Sequence, residues 1–194
     1  MPGMRSILRA AAALLFLAAA PAQAQNIPIT ADPENTVVID IVQLGRVVIE
    51  LRPDLAPKTV ARFKELVRQK FYDGLTFHRV IPAFMAQGGD PKGDGQGGSG
   101  VKLPAEFSKE RHVRGTVSMA RKADDPNSAD SQFFIVIREA NELDGKYTIF
   151  GRVVDGMDFI DRLKKGSKAL DGLVRPNPDK IKEMRIAADL AKAK

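Results

Sequence analysis

The sequence predicts a mainly β domain, either a closed antiparallel barrel or a sandwich, accompanied by two helices. Three observations predict it. Short runs rich in valine and isoleucine recur along the chain, only two segments show a helical apolar period, and strands and helices do not alternate in βαβ fashion. At 194 residues the chain has room for one ordinary domain with short appendages. With 44% hydrophobic and 28% charged residues, wholesale disorder and a polytopic membrane protein are excluded.

Residues 1–24 carry Arg5 and Arg9, then an apolar run from Ala10 to Ala20, then Ala22-Gln23-Ala24, the layout of a cleavable secretory signal peptide. The apolar run is too short for a bilayer core, which takes roughly 20 residues, so a retained membrane anchor is the weaker reading. Cleavage is expected between Ala24 and Gln25, leaving no stable membrane insertion and lowering the net charge from +6 to +4. Residues 25–35, with Pro28 and Pro33, read as an extended lead-in. Residues 36–43 and 46–51 are strands joined through Leu44-Gly45, the pattern of a tight hairpin. Pro53 closes the second strand. Pro57 suits the first position of a helix, in which Val60, Phe63, Leu66 and Val67 recur at helical spacing up to about Gln69.

After the Tyr72-Asp73-Gly74 turn, residues 76–81 alternate, with Phe77, Arg79 and Ile81 on one side and His78 and Val80 on the other. Residues 84–87 form a short strand behind Pro82. Seven glycines in the thirteen residues 88–100 predict a long surface loop. Strand patterns return at 115–120, 131–137 and 147–154. Residues 157–164, with Phe159, Ile160 and Leu163 as an apolar stripe, form the second helix. Residues 180–187 close the domain of residues 36–187, and 188–194 are a charged tail.

Several chemistries are excluded by residue type. There is no cysteine, which removes disulfides, thiolate metal sites and a cysteine nucleophile. Two histidines cannot make a histidine-rich metal site. The glycine-rich loop lacks the Gly-Lys-Ser/Thr ending of a phosphate-binding loop, and Asp90 and Asp94 fall short of an EF-hand. Neither a metal nor a cofactor is expected, and scattered basic residues give a nucleic-acid partner no patch. His78 is expected to hydrogen-bond inside the barrel, and His112, between Arg111 and Arg114, to be exposed. Arg79 on an apolar strand face reads either as an ion-paired, partly exposed side chain or as a cation kept dry for a purpose. Gln132 and Phe134 share one face of their strand, with Phe133, Ile135 and Ile137 on the other. Beside Arg79, Phe84, Met85 and Gln87 they would form an apolar hollow with neutral hydrogen-bonding groups and one cation, without a nucleophile or an acid-base pair.

The run Phe77-His78-Arg79-Val80-Ile81-Pro82-Ala83-Phe84-Met85-Ala86-Gln87-Gly88-Gly89-Asp90 resembles the central signature of the cyclophilin peptidyl-prolyl isomerases. Ala56-Pro57-Lys58-Thr59-Val60, Phe71-Tyr72-Asp73-Gly74, Ser118-Met119-Ala120, Ser131-Gln132-Phe133-Phe134-Ile135, Leu143-Asp144-Gly145 and Phe150-Gly151-Arg152-Val153 resemble further family blocks in family order. The resemblance implies a closed eight-stranded antiparallel β-barrel capped by two α-helices, and isomerisation of X-Pro bonds without a cofactor. It implies that Arg79 is catalytic, that Phe84, Met85, Phe134 and Leu143 line a proline pocket, and that Gln87 and Gln132 bond the peptide backbone. Ala120 and Arg121 would offer main-chain contacts. Tyr147 stands where many members have histidine and would complete the pocket wall. Glu142 stands where cytosolic eukaryotic members often carry tryptophan, which implies weak cyclosporin binding. The implied partners are proline-containing, folding polypeptides; with the signal peptide, this describes a monomeric periplasmic enzyme assisting exported proteins. Two rivals stay open: a non-catalytic scaffold for proline-containing segments, and a small-molecule-binding barrel similar to a lipocalin.

Overall fold

The computed structural model describes residues 31–192; the expected signal peptide, its cleavage point and the first part of the lead-in lie outside the described residues. Eight strands appear in chain order: β1 (Thr36–Ile41), β2 (Gly45–Leu51), β3 (Arg79–Ile81), β4 (Met85–Gly88), β5 (Thr116–Met119), β6 (Phe133–Val136), β7 (Ile149–Asp155) and β8 (Ile181–Ile186). Helix α1 (Pro57–Arg68) follows β2, α2 (Met157–Arg162) follows β7, and α3 (Ala187–Lys192) follows β8. The strands form one antiparallel sheet in the order β3-β4-β6-β5-β7-β2-β1-β8.

Closure of that sheet into a barrel is corrected. It curls, but no strand pair joins its edges β3 and β8 among the described residues. Only the chain ahead of β3 reaches across: Thr76 bridges Lys180, Phe77 N–H bonds Asp179 O, and Ile181 N–H bonds Leu75 O. The physical reason is local. Thr76 also bridges Asp90, and the pleat is broken at Phe77 and His78 before β3 begins. Phe77 and Arg79 therefore do not share a face, contrary to the alternation: Phe77 is 1% exposed in the main core, whereas Arg79 points the other way. The chain beyond β8 also differs from a bare tail, because α3 buries Ala188 and pairs Asp189 with Arg68.

Successive strand residues point to opposite faces. In register across β3, β4, β6 and β5, Val80, Ala86, Ile135 and Val117 enter the main core. Helix α1 completes that core with Val60, Phe63, Leu66 and Val67, the stripe its apolar period predicts. The Phe63 ring lies 5.7 Å from Phe133, edge-on, and 4.9 Å from Phe150, distances at which aromatic pairs attract.

Helix α1 begins with Pro57 after Ala56, which has no side chain able to cap. The cap comes from 47 residues away. Glu106 accepts from Lys58 N–H at 3.0 Å, from Thr59 N–H at 2.8 Å and from the Thr59 hydroxyl at 2.7 Å, placing a carboxylate at the positive end of the helix. Glu106→Ala is expected to lower unfolding free energy by about 1–2 kcal/mol in urea denaturation; an unchanged midpoint would refute this capping role.

Candidate active site

Register builds the site. Arg79 pairs with Gln87, Gln87 with Phe134, and Phe134 with Ser118, so four side chains stand in one row across β3, β4, β6 and β5. They lie on the face opposite the main core. Met85, Phe134, Val136, Ala140 and Leu143 form a second apolar cluster there, with Ile81, Phe84, Ala120 and Tyr147 packed against it. One face of this part of the sheet is filled by the core; the other, apolar around Phe134 and polar at Arg79 and Gln87, opens to a hollow of about 450 Å³.

Arg79 stands at the rim of that hollow with its side chain 27% exposed. Its Nε donates to the Asp171 carbonyl at 2.8 Å, Nη2 to the Asp171 carboxylate at 2.9 Å and Nη1 to Gln87 Oε1 at 3.1 Å. The Asp171 carboxylate is 83% exposed, and an ion pair so open to water contributes about 1 kcal/mol or less. Orientation therefore rests on the whole set of acceptors rather than on that charge. Nη1 also reaches the Met85 sulfur at 4.0 Å. A guanidinium has five N–H donors, so one, on Nη2, remains for a ligand. Arg79 is thus both ion-paired and available.

The hydrogen-bond chain continues through the glutamines. Gln87 Nε2 donates to Gln132 Oε1 at 2.8 Å, and Gln132 Nε2 donates to Gly95 O at 3.1 Å and Gly97 O at 2.8 Å. Both Gln132 donors thus have protein acceptors, and the side chain secures the glycine-rich loop. Two carboxylates hold the same loop. Asp90 accepts from the N–H groups of Lys92, Asp94 and Gly95, and Asp130 from Ser99 and Gly100. A Cβ on Gly97 would collide with the Asp90 carboxylate, which is why the loop needs glycine there.

Of the residues expected at the site, Arg79, Phe84, Met85, Gln87, Ala120, Arg121, Phe134, Leu143 and Tyr147 all line the hollow. Gln132 instead lines an adjoining hollow of about 400 Å³, which shares Gln87, Ala120 and Arg121 with the first. Ala120 N–H already bonds Gln132 O, so its carbonyl is the group left for an extended ligand. The Arg121 guanidinium lies 4.7 Å from the centre of the Tyr147 ring and donates to Lys146 O at 2.9 Å, stiffening that wall. Leu170, Asp171 and Leu173 also line the hollow, and sequence reasoning missed them. They come from a segment without period, and the Asp171-Gly172 turn was its one signal.

Both histidines depart from expectation. His78 is 1% exposed, and neither ring nitrogen has a hydrogen-bond partner. Burial pushes its pKa below 6.5, against the pull of Asp90. His112 is fully buried rather than exposed, because its ring turns inward between Ser118 and Asp144 while Arg111 and Arg114 turn out. Burial lowers its pKa too, with Asp144 opposing. Burial raises the Asp90 carboxyl, but the N–H groups of Lys92 and Gly95 hold it below 3.8.

A guanidinium oriented at the rim of a largely apolar hollow, with no serine, threonine or cysteine in the lining, suits a class that works on bound peptide without covalent chemistry. Residues 36–186 match the family described as "Cyclophilin type peptidyl-prolyl cis-trans isomerase/CLD". A probable peptidyl-prolyl cis-trans isomerase of Brucella suis is 52% identical over 97% of this chain and 99% of its own length. Peptidyl-prolyl cis-trans isomerase B of Bacillus subtilis is 41% identical over 73% and 91%. The crystal structure of a cyclophilin from Hirschia baltica superposes with a TM-score of 0.71 at 30% identity, covering 81% of this chain and 76% of that one. A Cryptosporidium parvum cyclophilin type isomerase, crystallised in the presence of the dipeptide Ala-Pro, gives 0.70 at 31% identity over 78% and 98%. The chain belongs to the cyclophilin-type peptidyl-prolyl cis-trans isomerases, and its activity is isomerisation of the X-Pro peptide bond.

The two buried histidines give stability a predictable pH dependence. Unfolded histidine takes up its proton near 6.5 and the folded rings do so at lower pH, so the unfolded chain binds more protons as pH falls through 6.5. Denaturation midpoints are expected to fall from pH 7.5 to pH 5, before the carboxylates titrate. A flat or rising profile across that window would contradict the burial of both rings.

Proposed function

We propose that the protein catalyses rotation about X-Pro bonds in extended segments of exported polypeptides, with Arg79 as the catalytic residue. The single observation that carries this reading is the Arg79 guanidinium, held by three oxygen acceptors at the rim of the hollow and still possessing a free donor on Nη2. The barrier to be lowered is loss of amide resonance, about 18–20 kcal/mol, and no covalent bond breaks. As the bond twists, the prolyl nitrogen becomes pyramidal and more basic. A guanidinium donating to it interacts more strongly with the twisted form than with either planar form, which is the condition for lowering the barrier.

The proline ring sits in the hollow of Phe84, Met85, Phe134, Leu143 and Tyr147, while the acyl side turns against the rim. Gln87 holds the guanidinium, and the Ala120 carbonyl takes a main-chain N–H of the substrate. Gln132 serves the peptide through its oxygen and through the loop it secures. A guanidinium keeps its charge at any working pH, which suits a reaction without proton transfer. Arg79→Ala is expected to lose about 10²-fold or more in kcat/KM in a protease-coupled assay while keeping its circular dichroism spectrum. Arg79→Lys, lacking the planar fork that three acceptors orient, should recover little. Full activity in Arg79→Ala would place catalysis elsewhere.

The cellular part of the reading is a periplasmic monomer that assists the folding of exported chains. The basic, apolar and small-residue pattern of residues 1–24 supports export, and no helix among the described residues is long and apolar enough to cross a membrane. Expressed with its leader in a Gram-negative host, the protein is expected in the periplasmic fraction with Gln25 as its first residue by N-terminal sequencing. Recovery of intact Met1 from the cytosol would overturn this assignment.

A further inference from the structure

We infer that Ser118, His112 and Asp144 form a positioning chain behind the proline hollow, buried at Ser118 and His112 and reaching the surface at Asp144, in which His112 holds three of the hollow's walls in place. His112 Nε2 lies 3.1 Å from Ser118 Oγ, and Nδ1 lies 3.0 Å from Asp144 Oδ1. The same Asp144 oxygen accepts the His112 main-chain N–H at 2.7 Å, and the His112 carbonyl accepts Ala140 N–H at 2.9 Å. One residue is thereby tied to both ends of the segment 140–144, which carries Leu143 into the hollow. Its ring is stacked on Phe134, with centroids 6.2 Å apart and planes 16° apart, and meets the Tyr147 ring edge-on at 6.4 Å. Leu143, Phe134 and Tyr147, three walls of the hollow, all converge on this one imidazole.

The order serine, histidine, aspartate has the spacing of a nucleophilic triad, but the site does not suit acyl transfer. Ser118 and His112 are both fully buried, and Ser118 stands next to Phe134 in the β5–β6 register with no path for a substrate carbonyl. What the arrangement provides is direction. The His112 main-chain N–H holds the Asp144 carboxyl below 3.8, so it is ionised and acts as acceptor. Nδ1 then carries the proton, and Nε2 accepts from the Ser118 hydroxyl. Bonds at opposite corners fix the plane of the imidazole, and with it the face on which Phe134 rests. Removing either bond leaves the ring free to tilt away from Phe134 and Tyr147.

This inference rests on the assignment of the hollow as the proline seat, and its test separates the two. Ser118→Ala, His112→Asn and Asp144→Ala would be compared with the wild type for kcat and KM on a proline tetrapeptide. The same peptide would be titrated by NMR while following the Phe134 ring resonances. For Ser118→Ala the loss of one hydrogen bond predicts a KM and a peptide dissociation constant raised about fivefold, with kcat near the wild-type value, and Asp144→Ala and His112→Asn, which each lose two, are expected to raise both further. Asp144→Asn keeps an oxygen to accept Nδ1–H and is expected to restore most of the affinity. If KM and the dissociation constant stay at wild-type values while only the thermal midpoint drops, the chain is structural and the inference is wrong. A fall in kcat alone overturns it as well. Should His112→Asn fail to fold, Ser118→Ala, which removes a single oxygen, decides the matter. A peptide that leaves the Phe134 resonances of the wild type unmoved would instead sink the assignment of the hollow.

Discussion

The strand register of β3, β4, β6 and β5 is the constraint on which the rest depends. Because side chains alternate along a strand, one register places Val80, Ala86, Ile135 and Val117 in the main core and Arg79, Gln87, Phe134 and Ser118 in a row on the other face. A slip of one residue would exchange the two sets, burying a guanidinium and two polar side chains in the aromatic core. The apolar core therefore does more than stabilise: it holds the pairing that aligns the site. Helix α1 contributes from the far side through Phe63, whose ring meets Phe133 one residue before Phe134.

The row is also electrically organised. At one end Arg79 is turned by Asp171 and Gln87, and Gln87 leads through Gln132 into the glycine-rich loop. At the other end Ser118 leads through His112 to Asp144. Between them stands Phe134, with no polar atom in its side chain. An apolar seat flanked by polar chains that bond one another, with Arg79 keeping a donor free at the rim, suits a non-covalent catalyst of rotation, because that donor is met by the twisted prolyl nitrogen. The loop is shaped by Asp90 and Asp130, whose carboxylates collect its N–H groups, so backbone that glycine leaves unrestrained is bound into place.

Much of this was legible in the residue order. The apolar period of α1, the hairpin of β1 and β2 and the alternation that sends Phe133 and Ile135 one way and Phe134 the other are local properties, set by the helical and strand repeats. The same alternation failed at Phe77, because a strand pattern continues in sequence even where the chain leaves the pleat to reach the opposite edge. His112 was misread for a related reason. Arginines on either side suggest an exposed segment, yet Asp144 lies 32 residues away and supplies the partner that lets an imidazole go inside.

The sequence by itself determined the mainly antiparallel sheet, the two principal helices, the row of strand residues at the site and, through its family blocks, the isomerase class. Only the tertiary structure decided that the sheet stays open between β3 and β8, that Asp171 turns Arg79 from 92 residues away, that Glu106 caps α1, and that His112 is buried. The division has a physical cause. Periodicity and propensity act over a few residues and are written in neighbouring letters, whereas a cap, an ion pair or a buried ring depends on which distant segments the folded sheet brings within hydrogen-bonding distance.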